Sequence, residues 1–294
     1  MSLIPFWICN TSRPDAMKPH VSEKSGHQLT LTGRVSQLLF KSNFLWFCLA
    51  WLLIILSWEL GSWLEWLNPQ ILPPPSETIP YAFSGNITIG FGQQKTGLFE
   101  STTITLGRVG AGMLIGLLVS SCLAIMVIEL PILRRLILPL VQSLAPIAPV
   151  AWIPFTIVVI GIGGPAAVFI VFMAVLGTMT LSLIAALDSI PDEYLKIAHN
   201  LGTSRIRMWW YIRLPAIIPS TMTAIRMSFF GAWMAVLAGE MAGLNSGLGY
   251  MIIMAQQMYN MKLVMVGILA IGFIGFAIDR LLLLINARLL QWVQ

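Results

Sequence analysis

Apolar positions along this chain fall in long unbroken blocks, without the alternation of a half-buried strand or the single apolar stripe of a soluble helix. Asn43 to Trp58 carries no charge, and the apolar run continues past Glu59 to about Leu64. Further blocks cover Thr105–Ile128, Ala166–Leu187, Ala216–Ala238 and Val264–Ile285. A hydrocarbon core roughly 30 Å thick takes about 20 apolar residues in a helix, so each block predicts a span. Leu136–Ile162 is a sixth, interrupted by Pro139, Pro146, Pro149 and Pro154, which predicts a kinked or broken helix. Between the blocks lie a polar Met1–Ser42 stretch, a Pro- and Gly-rich loop at 69–97, and a mixed segment from Asp188 to Pro215. The pattern predicts an all-α polytopic membrane protein with about six transmembrane helices. A cytoplasmic tail (1–42) precedes a membrane domain (43–294).

Composition closes off the alternatives. Hydrophobic residues make up 57% of the chain and charged residues 10%, against about a quarter charged in a soluble domain. With a mean hydropathy of +0.83, neither a soluble globular protein nor a disordered one fits. Cys9, Cys48 and Cys122 form neither a disulfide framework nor a C-x-x-C pair, and two of them sit in apolar runs as packing residues. The net charge of +5 reads as membrane orientation, with no nucleic-acid partner. With the N-terminus inside, Lys95, Arg108 and Lys262 fall outside and Arg226 within a span. The other 13 of the 17 basic residues are cytoplasmic, so both termini are expected there. Leu3–Cys9 is too short for a signal-peptide core.

Catalytic chemistry finds no foothold. Gly90 to Thr96 hints at a phosphate-binding loop, but Gln94 stands where glycine is needed and the segment falls on the outer face. There is no H-E-x-x-H and no G-x-S-x-G, and neither metal ligands nor catalytic residues are expected. Met222, Met227, Met234 and Met241 in the fifth span read as adaptable packing.

The segment 188–215 is more informative. Ser189 with Asp192 suggests a capping box, and Asp192 and Glu193 put negative charge at a helix start. A helix to Leu201, a turn at Gly202 and a second helix through Ser204–Arg213 would make a compact cytoplasmic knob. Tyr194, Leu195, Ile197, Ala198, Leu201, Ile206 and Met208 are too apolar for a solvated loop and suggest a docking face.

This run, Glu193-Tyr-Leu-Lys-Ile-Ala198 through Gly202 to Ile212-Arg-Leu214-Pro215, resembles the EAA loop of permease subunits of bacterial ABC importers. Lys196 and Ile197 depart from that pattern's usual Glu and Ala. Thr105-Leu-Gly-Arg108-Val109, Ala145-Pro-Ile-Ala-Pro149, Ile225-Arg226, Ala238-Gly-Glu240 and Ser246-Gly-Leu-Gly249-Tyr250 resemble the nitrate/sulfonate/taurine/bicarbonate group. The resemblance implies a type I importer fold whose coupling helix, with Glu193, Ala198, Gly202, Ile212, Leu214 and Pro215, docks a separate ABC ATPase. It implies a non-catalytic subunit in the bacterial inner membrane that binds no cofactor itself, ATP and Mg belonging to the ATPase. The further partners implied are a periplasmic substrate-binding protein, a second permease copy and membrane lipid. The cargo would be a small anion.

Within the spans, Arg226 is costly unless it meets water, a partner or substrate. It either serves an oxyanion, which a guanidinium suits, or braces the bundle. Glu240 lies 14 residues on, about 21 Å along the helix, and so cannot pair with it directly. Pro149 and Trp152 either border the translocation path or reflect kinked packing. Ser246, Gly247, Gly249 and Tyr250 form an outer gate element or a plain tight loop. Gly112-x-x-x-Gly116 marks close helix approach, between copies or within one. An ion-coupled secondary transporter is the alternative, with Glu59, Glu240 and Asp279, all near span ends, as its candidate relays.

Overall fold

The computed structural model describes residues 28–66, 68–84, 88–89 and 96–289, with side chains for 45–66, 68–84 and 97–289. Most of the expected tail and the Gly90–Lys95 stretch lie outside the described residues. Helix α1 runs over Gln28–Trp63. Its apolar part, Leu45–Trp63, is long enough to cross a membrane. Leu45, Trp46, Leu49, Leu52, Leu53 and Leu56 are all exposed, an apolar surface on every side that suits lipid.

From Trp58 onward the chain forms a second compact unit. Glu59 accepts hydrogen bonds from Ser76 N at 3.2 Å and Ser76 Oγ at 2.8 Å, tying the end of α1 to the start of α2 (Pro75–Phe83). A two-residue antiparallel pairing of β1 (Thr88–Ile89) with β2 (Thr96–Gly97) follows. The apolar blocks then become α3 (Leu98–Glu129), α6 (Gly164–Asp188), α9 (Leu214–Met241) and α11 (Met261–Leu289).

The proline-rich block is broken as the sequence predicts. Helix α4 (Pro131–Leu144) ends at Ala145, a 3₁₀ turn covers Pro149–Trp152, and α5 (Ile153–Val159) leaves at 96° to α4. Prolines lack the amide hydrogen that would carry the helix through. Counting this pair as one span gives six, otherwise five, among the described residues.

Helix α6 is the axis of the unit, packed along α3 and α9, with Ala167, Val171 and Met179 fully buried. Close approach to α3 needs glycine: a Cβ at Gly112 would fall 2.5 Å from Val171 Cβ, and one at Gly116 2.8 Å from Val175 Cγ1. The Gly112/Gly116 pair therefore serves packing within one chain. Helix α10 (Leu248–Gln257) lies between α9 and α11. Ten residues rise about 15 Å, half a bilayer core.

Candidate functional site

Three polar assemblies mark the unit, at one end, at mid-depth and at the other end of its long helices. The first is the 188–215 knob. Helix α7 (Asp192–Asn200) has Pro191 as its N-cap with no side-chain cap. The expected capping box is absent, because Ser189 Oγ donates instead to Ala186 O at 2.7 Å, closing α6. At the other end Gly202 turns with φ +68°. Gly202 N donates to His199 O and Thr203 N to Ala198 O, both at 3.0 Å. This pair of bonds satisfies the last carbonyls of α7. Ala198 is buried beneath the helix, while Tyr194, Ile197, Leu201 and Ile206 are more than half exposed.

The return path is continuous helix. Ser204 caps α8 (Arg205–Met208), a π-turn covers Trp209–Arg213, and α9 follows directly. Leu214 N reaches Trp209 O, five residues back. The wide turn accommodates Pro215, which has no amide hydrogen to give and whose ring would crowd a regular turn. Glu129, the last residue of α3, holds this turn. It accepts from Trp209 Nε1 at 2.7 Å and from Arg213 Nη1, whose guanidinium lies 4.7 Å over the Trp209 ring. Ile212 and Pro215 are half-buried here, and Glu193 is exposed at the start of α7. Beside it, Arg134 grips Asp188 with both terminal nitrogens at 3.0 and 2.6 Å, joining α4 to the end of α6.

The second assembly closes the opposite end of α9. Glu240 is 1% exposed and fully engaged. Thr105 Oγ1 donates to it at 2.9 Å, Arg108 Nη1 at 2.8 Å and Gly249 N at 3.0 Å. Arg108 also donates to Ser246 O at 2.7 Å and Ser246 Oγ at 2.6 Å, and Leu248 N donates to Thr105 Oγ1 at 2.9 Å. Gly247 has φ +106°, and a Cβ there would overlap the Glu240 carboxylate carbon. A Cβ at Gly249 would lie 2.7 Å from Leu237 O. Ser246, Gly247 and Gly249 are thus fastened around one buried carboxylate, with half-buried Tyr250 on the first turn of α10.

The third assembly is midway along α9. Arg226 Nε donates to Asp279 Oδ1 at 2.5 Å and Nη2 to Oδ2 at 3.0 Å, a side-on bidentate pair between α9 and α11. Arg226 therefore meets a partner on a neighbouring helix. Asp279 lies ten residues before the end of α11, inside the span and not at its edge. The Asp279 side chain is 10% exposed and that of Arg226 37%, so the guanidinium is the open half of the pair.

Arg226 and Glu240 belong to separate assemblies. Pro149 and Trp152 sit in the elbow between α4 and α5, which packs on α6 and α9. Trp152 meets Phe155 edge-on at 5.9 Å. Met227, Met234 and Met241 are exposed along one α9 face instead of packing inside. Cys48 and Cys122 are likewise free and exposed.

Residues 109–291 match the family of binding-protein-dependent transport system inner membrane components. The chain belongs to this family. It is 25% identical over 239 residues to the taurine transport system permease protein TauC of Escherichia coli, covering 81% of this chain and 86% of that one. Over 244 residues it is 30% identical to an ABC transporter permease protein of Methanocaldococcus jannaschii, covering 82% and 89%. The bicarbonate transport system permease protein CmpB of Synechocystis is 28% identical over 237 residues, covering 77% and 81%. In fold, an amino acid ABC transporter crystallised with histidines superposes with a TM-score of 0.53 at 14% identity, over 65% of this chain and 92% of that one.

The chain is thus the membrane-spanning permease subunit of an ABC transporter. Sequence reasoning named Asp279 only as a candidate relay near a span end and missed its pairing with Arg226 in this permease, and it passed over Glu129. Asp279 carried a signal, being the one acidic residue inside the α11 block and so in need of a counter-charge. Glu129 carried a weaker one, a lone acid at the end of a span.

Proposed function

We propose that two copies of this permease form the pathway of an ATP-driven importer for a small oxyanion-bearing solute. A periplasmic binding protein would deliver the solute, and the 188–215 knob would dock an ABC ATPase. In this reading both termini face the cytoplasm, which the distribution of basic residues favours. The observation that carries the docking is the exposed apolar set Tyr194, Ile197, Leu201 and Ile206. These residues stand on a knob with basic flanks beyond the spans, where neither lipid nor a core covers them. Pairing of two copies is supported by α9, where Ser220, Met227, Met234 and Met241 recur at seven-residue spacing on one exposed face, the repeat of a helix–helix seam. Arg226 flanks that face and would meet the oxyanion.

The test replaces Ile197 and Leu201 by glutamate in the full transporter. The ATPase subunit should no longer co-purify with the permease, while the permease remains folded in the membrane. Unaltered co-purification and uptake would remove the knob from this role.

A further inference from the structure

A cavity of about 730 Å³ opens between the chain that follows α1 and the start of α11. Residues of 69–73 line one side and the turn 259–262 another, and Glu77, in the first turn of α2, joins the lining. Its walls are built in advance. Asn260 Nδ2 donates to Tyr81 Oη at 3.0 Å, and Asn260 Oδ1 accepts from Leu263 N at 3.2 Å. Buried Pro73, Pro74 and Pro75 stiffen the backbone beside it.

Its depth follows from the helices that meet there. Ser76 is held on Glu59, four residues before the apolar stretch of α1 ends at Trp63. Lys262 lies two residues before the apolar block that opens at Val264. The cavity therefore sits where hydrocarbon gives way to lipid headgroups. Trp63, Trp66 and Tyr259 stand exposed at this level, as the residues of an interfacial belt do. Tyr259 holds a left-handed φ of +53°, a strain that glycine would not carry. Its ring is 87% exposed, so no packing within the chain offsets that strain.

Inside the cavity a cation and an anion meet. Lys262 Nζ lies 2.8 Å from Glu77 Oε2, with the side chains 45% and 50% exposed. So open a pair contributes little to stability, and it yields readily to a ligand that satisfies both groups. A phosphate suits the ammonium of Lys262, and a primary ammonium suits the carboxylate of Glu77. A purely anionic headgroup finds no excess positive charge here. Below the cavity, Leu269 and Phe273 follow Lys262 by 7 and 11 residues and so share its face of α11. Both are exposed, an apolar track for acyl chains directly beneath the charges.

We propose that this cavity holds the headgroup of a phosphatidylethanolamine-type lipid, its phosphate on Lys262 and its ammonium on Glu77. The assignment is independent of the solute and of the direction of transport.

The experiment places the full permease in nanodiscs of phosphatidylethanolamine, phosphatidylglycerol and phosphatidylcholine in equal parts. Lipids retained through gradual detergent stripping are counted by native mass spectrometry. Phosphatidylcholine carries the same charges but has no N–H to donate, and phosphatidylglycerol has no ammonium. The wild type should retain phosphatidylethanolamine about fivefold over either, the scale of one charge-assisted hydrogen bond at a half-exposed site. Glu77→Gln should erase the preference for ethanolamine over choline, and Lys262→Gln should lower retention of all three. Both side chains are half exposed, so the variants should keep the wild-type unfolding midpoint. The comparison among lipids in the wild type remains decisive even where a variant fails to insert.

Equal retention of the three lipids by the wild type would overturn the proposal, as would a preference unchanged in both variants. A third outcome also sinks it. If the variants leave lipid retention alone but raise the concentration of binding protein needed to stimulate ATP hydrolysis in the assembled transporter, the cavity is a docking surface for that protein.

Discussion

Gly247 is seated against the carboxylate of Glu240, in a left-handed backbone conformation and with no room for a single added methyl. The short turn between α9 and α10 is therefore built around the acid, while Arg108 and Thr105 reach it from α3. Gly247→Ala combines overlap with backbone strain, since a positive φ with an extended ψ of 175° is a region left almost entirely to glycine and costs about 1–3 kcal/mol. It should lower the thermal unfolding midpoint of the purified permease well below that of Gly243→Ala, where φ is +137° but no atom lies within 4 Å of the added carbon. Equal midpoints would show that the acid does not shape the turn.

Arg108 and Glu240 should behave as one unit. Removing either charge strands the other in a buried site, at a cost of about 3–5 kcal/mol. The double variant Arg108→Gln with Glu240→Gln should cost clearly less than the two single changes together. Strict additivity in a denaturation series would mean that the two groups do not depend on each other.

Gly202 can be tested without any steric complication. An added Cβ there meets nothing within 4 Å, so Gly202→Val acts through the φ of +68° alone. A β-branched residue resists that conformation, and the turn should reorganise. The expected outcome is normal membrane insertion with substrate-stimulated ATP hydrolysis reduced severalfold. Full stimulation in liposomes, with the assembly intact, would dissociate this turn from coupling.

At Arg226, lysine preserves the charge and glutamine some of the hydrogen bonding, while neither reproduces the planar fork on Asp279. If the charge draws the solute, uptake at matched expression should fall in the order wild type, Arg226→Lys, Arg226→Gln. Equal failure of both variants would point to bracing geometry, and an undiminished Gln variant to no transport role.

The spans were legible because lipid imposes a requirement on composition that holds residue by residue: about 20 apolar positions in a row. The prolines of 139–154 announced the elbow, since a missing amide hydrogen acts locally. The turn at Gly202 was legible for the same reason. Pairing was not. Arg226 finds Asp279 53 positions later, and Arg108 finds Glu240 132 positions later. Which charges meet depends on which helices are neighbours, and a hydropathy pattern leaves that open. Local signals also misled where a second local effect overruled them. Ser189 has the right spacing for a capping box, but Pro191 starts α7 and the hydroxyl turns back to α6. The methionines of α9 looked like filling for a core, and their exposure came into view only once the helix was placed with its flank against α6.

The π-turn at Trp209–Arg213 has a mechanical consequence. Because it widens the helix without ending it, Arg205–Met241 is one uninterrupted rod of 37 residues, about 55 Å long. Glu129 holds that rod close to one end, as a pivot holds a lever with arms of very unequal length. A small push on the short arm, next to Gly202, is magnified at the far tip, where Glu240 and Gly247 sit. A tilt of about 5° over such a length sweeps that tip by roughly 5 Å, comparable to the spacing between neighbouring turns of a helix.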